Sequence, residues 1–322
     1  MSILNVQPHK ISRDLRGYSV FFYGSPKSGK TTIASRFPGA LILGFEKGWN
    51  ALPGVMAYPL NSWGEFKKVL NELRTPEAHA MYQTMVIDTA DIAYHYCEKY
   101  ICAKMSDMKN SYDSIAEIPF GKGFKLAQEE FDECIRKIIQ MDYGLVLISH
   151  SQDKTFKDEQ DKEYSKIIPT LDQRARLVCE RTCDIIGYSR VVDTDDGPAT
   201  KLFLRETPRF VAGSRFKHLP PVIDFNYDSL VNAIGEAVEK EGSNQVSSEA
   251  TQVKTEEVQY DFPAMMEEFQ NLVGNIMQSN PSAAIQITNI VNSHLGTGKK
   301  VADCTPDQAP QLDLILFEIK QL

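Results

Sequence analysis

The sequence predicts an α/β domain built on a mainly parallel central sheet, with a late antiparallel hairpin and a small helical module after it. Three observations carry this expectation. A glycine-bearing loop, residues 24–31, lies between an apolar run and a segment able to start a helix. Short, wholly apolar runs then alternate with stretches of helical spacing, as in parallel strands covered on both faces. Near residue 241 the chain turns polar, acidic and serine-rich before helical spacing resumes.

In order along the chain, residues 18–23 (Tyr-Ser-Val-Phe-Phe-Tyr) form the first buried strand, and residues 32–37 can begin the helix after the loop. Residues 40–44 give a second short buried strand that ends in Phe45, Glu46, Lys47 and Gly48. Residues 62–74 repeat apolar side chains at Phe66, Val69, Leu70 and Leu73, and Ser62 is placed to cap that helix. Residues 85–88 are another buried strand, and 91–104 and 122–140 read as amphipathic helices. Residues 145–150 are a third buried strand, and the charged stretch 152–164 after it reads as a solvated, flexible connection. Residues 184–192 and 200–205 flank Asp195-Asp196-Gly197-Pro198, which signals an antiparallel hairpin. Helical spacing returns at 262–278, 283–295 and 306–320, enough for a three-helix module. Between the last two, Gly296-Thr297-Gly298-Lys299-Lys300 echoes a phosphate loop but lacks its first glycine and its hydroxyl residue, so it reads as a turn. The expected division is 1–240 for the α/β domain, 241–258 for an acidic, Ser-rich linker and 259–322 for the helical module.

The 322 residues are 42% hydrophobic and 24% charged, the composition of an ordinary soluble protein. No apolar run approaches the ~20 residues needed to cross a bilayer, and the N-terminus has no signal-peptide pattern. Six cysteines without a C-x-x-C pair argue against a zinc ribbon or disulfide framework and suit a reducing cytoplasm. Of the net charge of −8, residues after Lys240 carry −7, with eleven acidic and four basic side chains. The nearly neutral first part can hold a local basic groove, but no broad basic surface exists.

Gly24, Ser25, Pro26, Lys27, Ser28, Gly29, Lys30 and Thr31 form a complete G-x-x-x-x-G-K-T motif in the strand–loop–helix setting it requires. Its backbone N–H groups, with Thr32 at the helix start, would curl around nucleotide phosphates. Lys30 would reach the β- and γ-phosphates of ATP, and Thr31 would ligate Mg²⁺. Asp88, at a strand end, fits the acid that holds Mg²⁺ through water, or it is an N-cap of the next helix. Thr89 follows it where a catalytic Glu is common, so the water-orienting base is expected elsewhere. Glu46 is the first candidate, at the carboxyl edge where ligands gather in open α/β sheets, and Asp91 is the reserve. Glu46 can also be read as a surface carboxylate beside Lys47. His150, at the end of the third buried strand, is either a γ-phosphate sensor or a hydrogen-bonded strand-end histidine.

The loop, Glu46, residues 85–88 and residues 145–150 together resemble the RecA-like P-loop NTPase core. More narrowly they resemble phage ATPases of the AAA/RecA-like single-strand annealing group. Phe45-Glu46-Lys47-Gly48 with Trp63-Gly64-Glu65-Phe66, residues 119–124 and residues 212–220 extend the likeness over roughly 15–235. The resemblance implies a cytoplasmic (for a phage protein, host-cytoplasmic), Mg²⁺-dependent and DNA-stimulated ATPase. Such an enzyme would assemble with itself on single-stranded DNA and promote annealing or recombination. It also implies that Arg215, or else Lys217, acts in trans on a neighbour's nucleotide, although Gly213 stands where relatives carry a lysine. The alternative for Arg215 is a surface residue closing the last strand. Loops after Asp88 and His150 would touch DNA, with Lys104, Lys109, Lys154 and Lys157 on phosphates and Tyr112 and Phe156 stacking on bases. The helical module, outside the resemblance, is expected to bind a protein such as a single-strand-binding or replication protein, or to keep the DNA groove covered until a partner arrives. Two other readings stand beside this one: a replicative helicase or its loader, and a nucleotide-gated adaptor without catalysis.

Overall fold

The computed structural model describes residues 11–12, 14–107, 110–157, 159–241, 246–247 and 260–321. Two compact units result, Met1–Thr255 and Glu256–Leu322, a division that falls inside the stretch 241–258.

In the first unit the strands are β1 (Ile11–Ser12), β2 (Ser19–Gly24), β3 (Ala40–Gly44), β4 (Met56–Pro59), β5 (Thr84–Asp88), β6 (Gly144–Lys157) and β7 (Glu163–Pro169). They continue with β8 (Ile185–Thr194), β9 (Gly197–Phe203), β10 (Gly213–Ser214), β11 (Val222–Asp224) and β12 (Val246–Ser247). The helices are α1 (Lys30–Ala34), α2 (Trp63–Glu72), α3 (Pro76–Met81), α4 (Ala90–Met105), α5 (Lys122–Gln140), α6 (Gln173–Thr182) and α7 (Tyr227–Glu239). The main sheet runs β11-β9-β8-β2-β6-β5-β3-β4. Strands β8, β2, β6, β5, β3 and β4 are parallel neighbours, while β9, β11 and β10 add antiparallel pairs. The expected parallel sheet and late hairpin are therefore both present. Strand β6 separates loop-bearing β2 from Asp88-bearing β5.

Alternation along the strands explains why those runs are wholly apolar. Phe21, Leu43, Met85, Ile87, Leu145 and Leu147 face one layer, where α2, α4, α5 and α6 pack. Val20, Phe22, Ile42, Val86, Val146 and Ile148 face the other, with α1 and α7. Both faces are covered, so every position is apolar. Ser62 caps α2 as expected, its hydroxyl accepting from Glu65 N–H at 3.2 Å.

Two local findings differ from the sequence expectations. Residues 152–164 are not a loose connection. Strand β6 runs on past the sheet and pairs antiparallel with β7, from Ser151 opposite Pro169 to Lys157 opposite Glu163. The polar composition reflects a two-stranded ribbon solvated on both faces, and the stacked Phe156–Tyr164 pair, with centroids 5.8 Å apart, supports its register. Within 241–258, β12 pairs in parallel with β1.

The second unit consists of α8 (Phe262–Ser279), α9 (Ala284–Leu295) and α10 (Ala309–Ile319), close to the three expected helices. Ile287, Val291, Leu312, Ile315, Leu316 and Ile319 centre its own core. The stretch 296–300 is a turn, with Gly296 and Gly298 at φ 96° and 81°. Among the described residues no helix is long and apolar enough to cross a membrane.

Candidate functional site

Strands β2, β3 and β5 end at one carboxyl edge, which β6 passes at His150 and β8 at Ser189. There β2 ends in the phosphate loop, and Gly24 lies beside His150 of β6 and Ser189 of β8. A Cβ on Gly24 would sit 2.1 Å from Ser189 Oγ, so only glycine fits this approach. Ser28 and Ser189 hydroxyls meet at 2.9 Å, anchoring the loop to β8. Ser189 went unnoticed in the sequence because nothing near it forms a motif.

Lys30 is 5% exposed. Its ammonium donates to the carbonyls of Gly24 (2.9 Å) and Ser25 (2.7 Å), so the loop organises its own lysine. Burial lowers its pKa to about 8 against the pull of Asp88, Asp91 and Glu46, which favour the charged form. Thr31 donates its hydroxyl proton to Asp88 Oδ2 at 2.8 Å. Burial pushes the Asp88 carboxyl above its ordinary range, and the Thr31 hydrogen bond opposes that rise. Asp88 does not cap α4 through its side chain; Thr89 is the N-cap residue, with no side-chain capping bond. α1 itself is short, Lys30 to Ala34, and begins at Gly29 without a side-chain cap.

Gly48 completes this corner. A Cβ there would lie 2.9 Å from Asp88 Oδ2 and 3.1 Å from Thr31 Oγ1. The space beside the hydroxyl–carboxylate pair is kept clear of side chains, and hard oxygen donors of this kind suit Mg²⁺. Thr31 and Asp88 therefore fit the metal that the motif implies.

Glu46 is placed by its own backbone: the N–H groups of Phe45 and Glu46 donate to Asp88 C=O at 2.7 and 3.1 Å. Its carboxylate lies 3.6 Å from His150 Nε2, while His150 Nδ1 is buried without a hydrogen-bond partner among the described residues. Asp91, the reserve candidate, is already engaged. It accepts from Ser149 Oγ (2.9 Å), Thr170 Oγ1 (2.6 Å) and His150 N–H (3.3 Å). Thr170 N–H in turn donates to His150 C=O at 2.9 Å, which ties the strand end to the base of the β6–β7 ribbon.

Arg215 is not brought to this edge. It donates to Asp184 Oδ1 and to Arg181 C=O, each at 2.9 Å. Asp184 also accepts from Ser19 N–H at the start of β2, at the opposite end of the strand from the loop. Lys217 is exposed nearby.

Of the residues expected to contact DNA, Lys154 and Phe156 stand on the ribbon, with the ammonium 5.8 Å from the ring centroid. Lys157 pairs with Asp161 at 3.9 Å. Lys104 lies on the last turn of α4, beside the loop that follows. Tyr112 is half-buried and packs against the core. Lys109 lies outside the described residues.

A family model described as an AAA domain matches residues 16–216. The chain is 31% identical over 335 residues to the SPbeta prophage-derived uncharacterized protein YorG of Bacillus subtilis (strain 168), covering 100% of this chain and 98% of that one. Among solved structures, the crystal structure of the RadB recombinase matches at TM-score 0.37 and 13% identity, over 66% of this chain and 89% of that chain.

Proposed function

This chain belongs to the AAA-domain family, and on that premise we propose that it is a Mg²⁺-dependent ATPase that assembles with itself on single-stranded DNA in phage DNA metabolism, promoting annealing or recombination. One observation carries the reading. Lys30, Thr31, Asp88, Glu46 and His150, scattered over 120 positions of sequence, meet at one carboxyl edge of the sheet.

The residues divide the work by chemistry. Lys30 exchanges its carbonyl partners for the β- and γ-phosphate oxygens. Thr31 and Asp88 would hold Mg²⁺, which supplies charge neutralisation on the phosphates. Glu46 accepts a hydrogen bond from the attacking water and orients it. His150 faces Glu46 and joins the γ-phosphate end to the ribbon through Asp91 and Thr170. In this reading the ribbon moves with nucleotide state and presents Lys154 and Phe156 to single-stranded DNA.

Arg215 lies at the far edge of its own sheet, about five strand residues or roughly 17 Å from the loop. It serves in trans only if protomers stack head to tail, which sets the far edge of one against the loop of the next. Release from Asp184 would then free its guanidinium to neutralise developing phosphoryl charge.

The decisive measurement is ATP turnover with and without single-stranded DNA, for the wild type and Glu46→Gln. The proposal expects DNA-stimulated, Mg²⁺-dependent turnover that falls by about 10²–10⁴-fold in the variant while ATP binding persists. Turnover indifferent to DNA would leave an ATPase or adaptor acting on another partner. A second reading, the nucleotide-gated adaptor, draws on the helical module, where Ile285, Leu314 and Phe317 are exposed apolar side chains.

A further inference from the structure

Phe120 is the most exposed large apolar side chain among the described residues, with its ring wholly in solvent. The fold holds it there. Phe120 has φ 60° and Gly121 φ 65°, a left-handed pair that a residue as bulky as Phe rarely enters. The turn beneath is firmly built. Ile115 and Ile118 are buried in the core, and Asp113 N–H donates to Glu117 Oε2 at 2.9 Å. A Cβ on Gly123 would lie 2.3 Å from the Ile115 carbonyl oxygen, so α5 starts in close contact with this turn. A monomer gains nothing by fixing a phenyl ring in water on strained backbone, and such an outlier points to a binding role.

This turn stands at the carboxyl edge. α5 has 19 residues and ends at Gln140, just before β6 begins at the amino edge. Its length of about 28 Å exceeds the ~20 Å that β6 needs from Gly144 to His150. The Phe124 ring, one helical turn beyond Phe120, lies 4.4 Å from the Arg174 guanidinium. Arg174 is on the first turn of α6, just after Thr170, which bonds Asp91 and His150 at that edge.

At the opposite, amino edge lies a cavity of about 210 Å³. It sits where strands begin: Tyr18 C=O accepts from Leu145 N–H at 3.4 Å, and Ser19 C=O accepts from Asp184 N–H at 2.8 Å. Tyr18 and Phe216, edge to face at 4.9 Å, line it together with Ile11, Ala237 and Val238. An apolar cavity of about 150 Å³ holds benzene, so this one has room for a single phenyl ring. Its rim carries Arg215, Lys217 and Glu241. Phe120 in turn stands between exposed Glu117 and exposed Lys122. Each charge beside the ring has an opposite charge beside the cavity.

We propose that Phe120 of one protomer inserts into the amino-edge cavity of the next, as the apolar anchor of a head-to-tail assembly. Ring and cavity lie at opposite ends of the sheet, so a chain does not fill its own cavity. The contact is heterologous and repeats into a ring or a filament. Arg215 is on the rim of the cavity, so the contact that seats the ring also brings Arg215 to the carboxyl edge of the neighbour. The inference rests on the self-assembly reading and supplies the contact that holds such an assembly together.

The test is sedimentation velocity of the full chain with Mg²⁺–ATP and a single-stranded oligonucleotide, for the wild type and Phe120→Ala. Phe120 is wholly exposed, so its variant keeps the fold. Self-association should weaken by about 30-fold, as for the loss of an aromatic anchor at an interface. A second measurement mixes differently tagged Phe120→Cys and Glu241→Cys chains under oxidising conditions. The mixture should give a cross-linked dimer carrying both tags, and neither variant alone should give one. Wild type that assembles while Phe120→Ala assembles equally well would overturn the contact and leave the assembly reading standing. Loss of oligonucleotide affinity in Phe120→Ala at unchanged assembly would do the same and assign the ring to a base. Wild type that stays monomeric in every mixture would overturn both.

Discussion

The buried ammonium of Lys30 makes nucleotide affinity sensitive to pH in a range where an ordinary lysine is inert. Its pKa is lowered by burial to about 8. In the free protein the charged fraction then falls from roughly nine-tenths at pH 7 to roughly one-tenth at pH 9. A phosphate site that requires the ammonium should therefore lose about tenfold in ATP affinity over those two pH units, or ~1.4 kcal/mol. A lysine at its ordinary value of 10.5 would lose only a few per cent over the same range. The assay is calorimetric titration of Mg²⁺–ATP at half-unit steps from pH 7 to 9, with Lys30→Arg as control, because a guanidinium stays charged throughout. The control should bind more weakly but at constant affinity. The sign for stability is the reverse. Between pH 8 and 10.5 the unfolded chain still holds this proton and the ligand-free folded state does not. The contribution of Lys30 to folding therefore rises through that window, as the difference between wild type and Lys30→Met in urea unfolding should record. Flat ATP affinity from pH 7 to 9, or a decline that survives in Lys30→Arg, would refute the reasoning.

Three further outcomes are expected. Gly48→Ala inserts a methyl 2.9 Å from Asp88 Oδ2 and 3.1 Å from Thr31 Oγ1, so the Mg²⁺-dependent gain in ATP affinity should drop by about 10–100-fold with little change in melting temperature. Arg215→Ala should cut turnover by about 10³-fold, and mixing it with Lys30→Ala should restore part of it, since the mixed interface joins an intact loop to an intact arginine; no recovery would place Arg215 outside catalysis. On the ribbon, Phe156→Ala should weaken single-stranded DNA binding by ~1–3 kcal/mol with the salt dependence unchanged, whereas Lys154→Ala should lower the slope of log affinity against log salt by about 0.7.

Some of this molecule was legible because its signals are local. A phosphate loop needs its residues consecutively, so Gly24 to Thr31 announces itself in a single line of sequence. Strands covered on both faces need unbroken apolar runs, so β2, β5 and the start of β6 were evident, as was Asp88 at a strand end. The ribbon of β6 and β7 was hidden because a strand solvated on both faces has no apolar run. It has only polar residues with an occasional aromatic, which a solvated loop also has.

The sequence alone thus determined that a phosphate-binding loop sits at the end of a buried strand, with an acid at the end of another. Only the tertiary structure decided the partners. It engaged Asp91 with Ser149 and Thr170 and left Glu46 facing His150. It set Gly48 against the Thr31–Asp88 pair, Ser189 under the loop and Phe225 beside Gly29. It also held Arg215 on Asp184 at the far edge. Those contacts join residues tens to nearly two hundred positions apart. Their distances follow from the order in which strands enter the sheet, and no local run of side chains encodes that order.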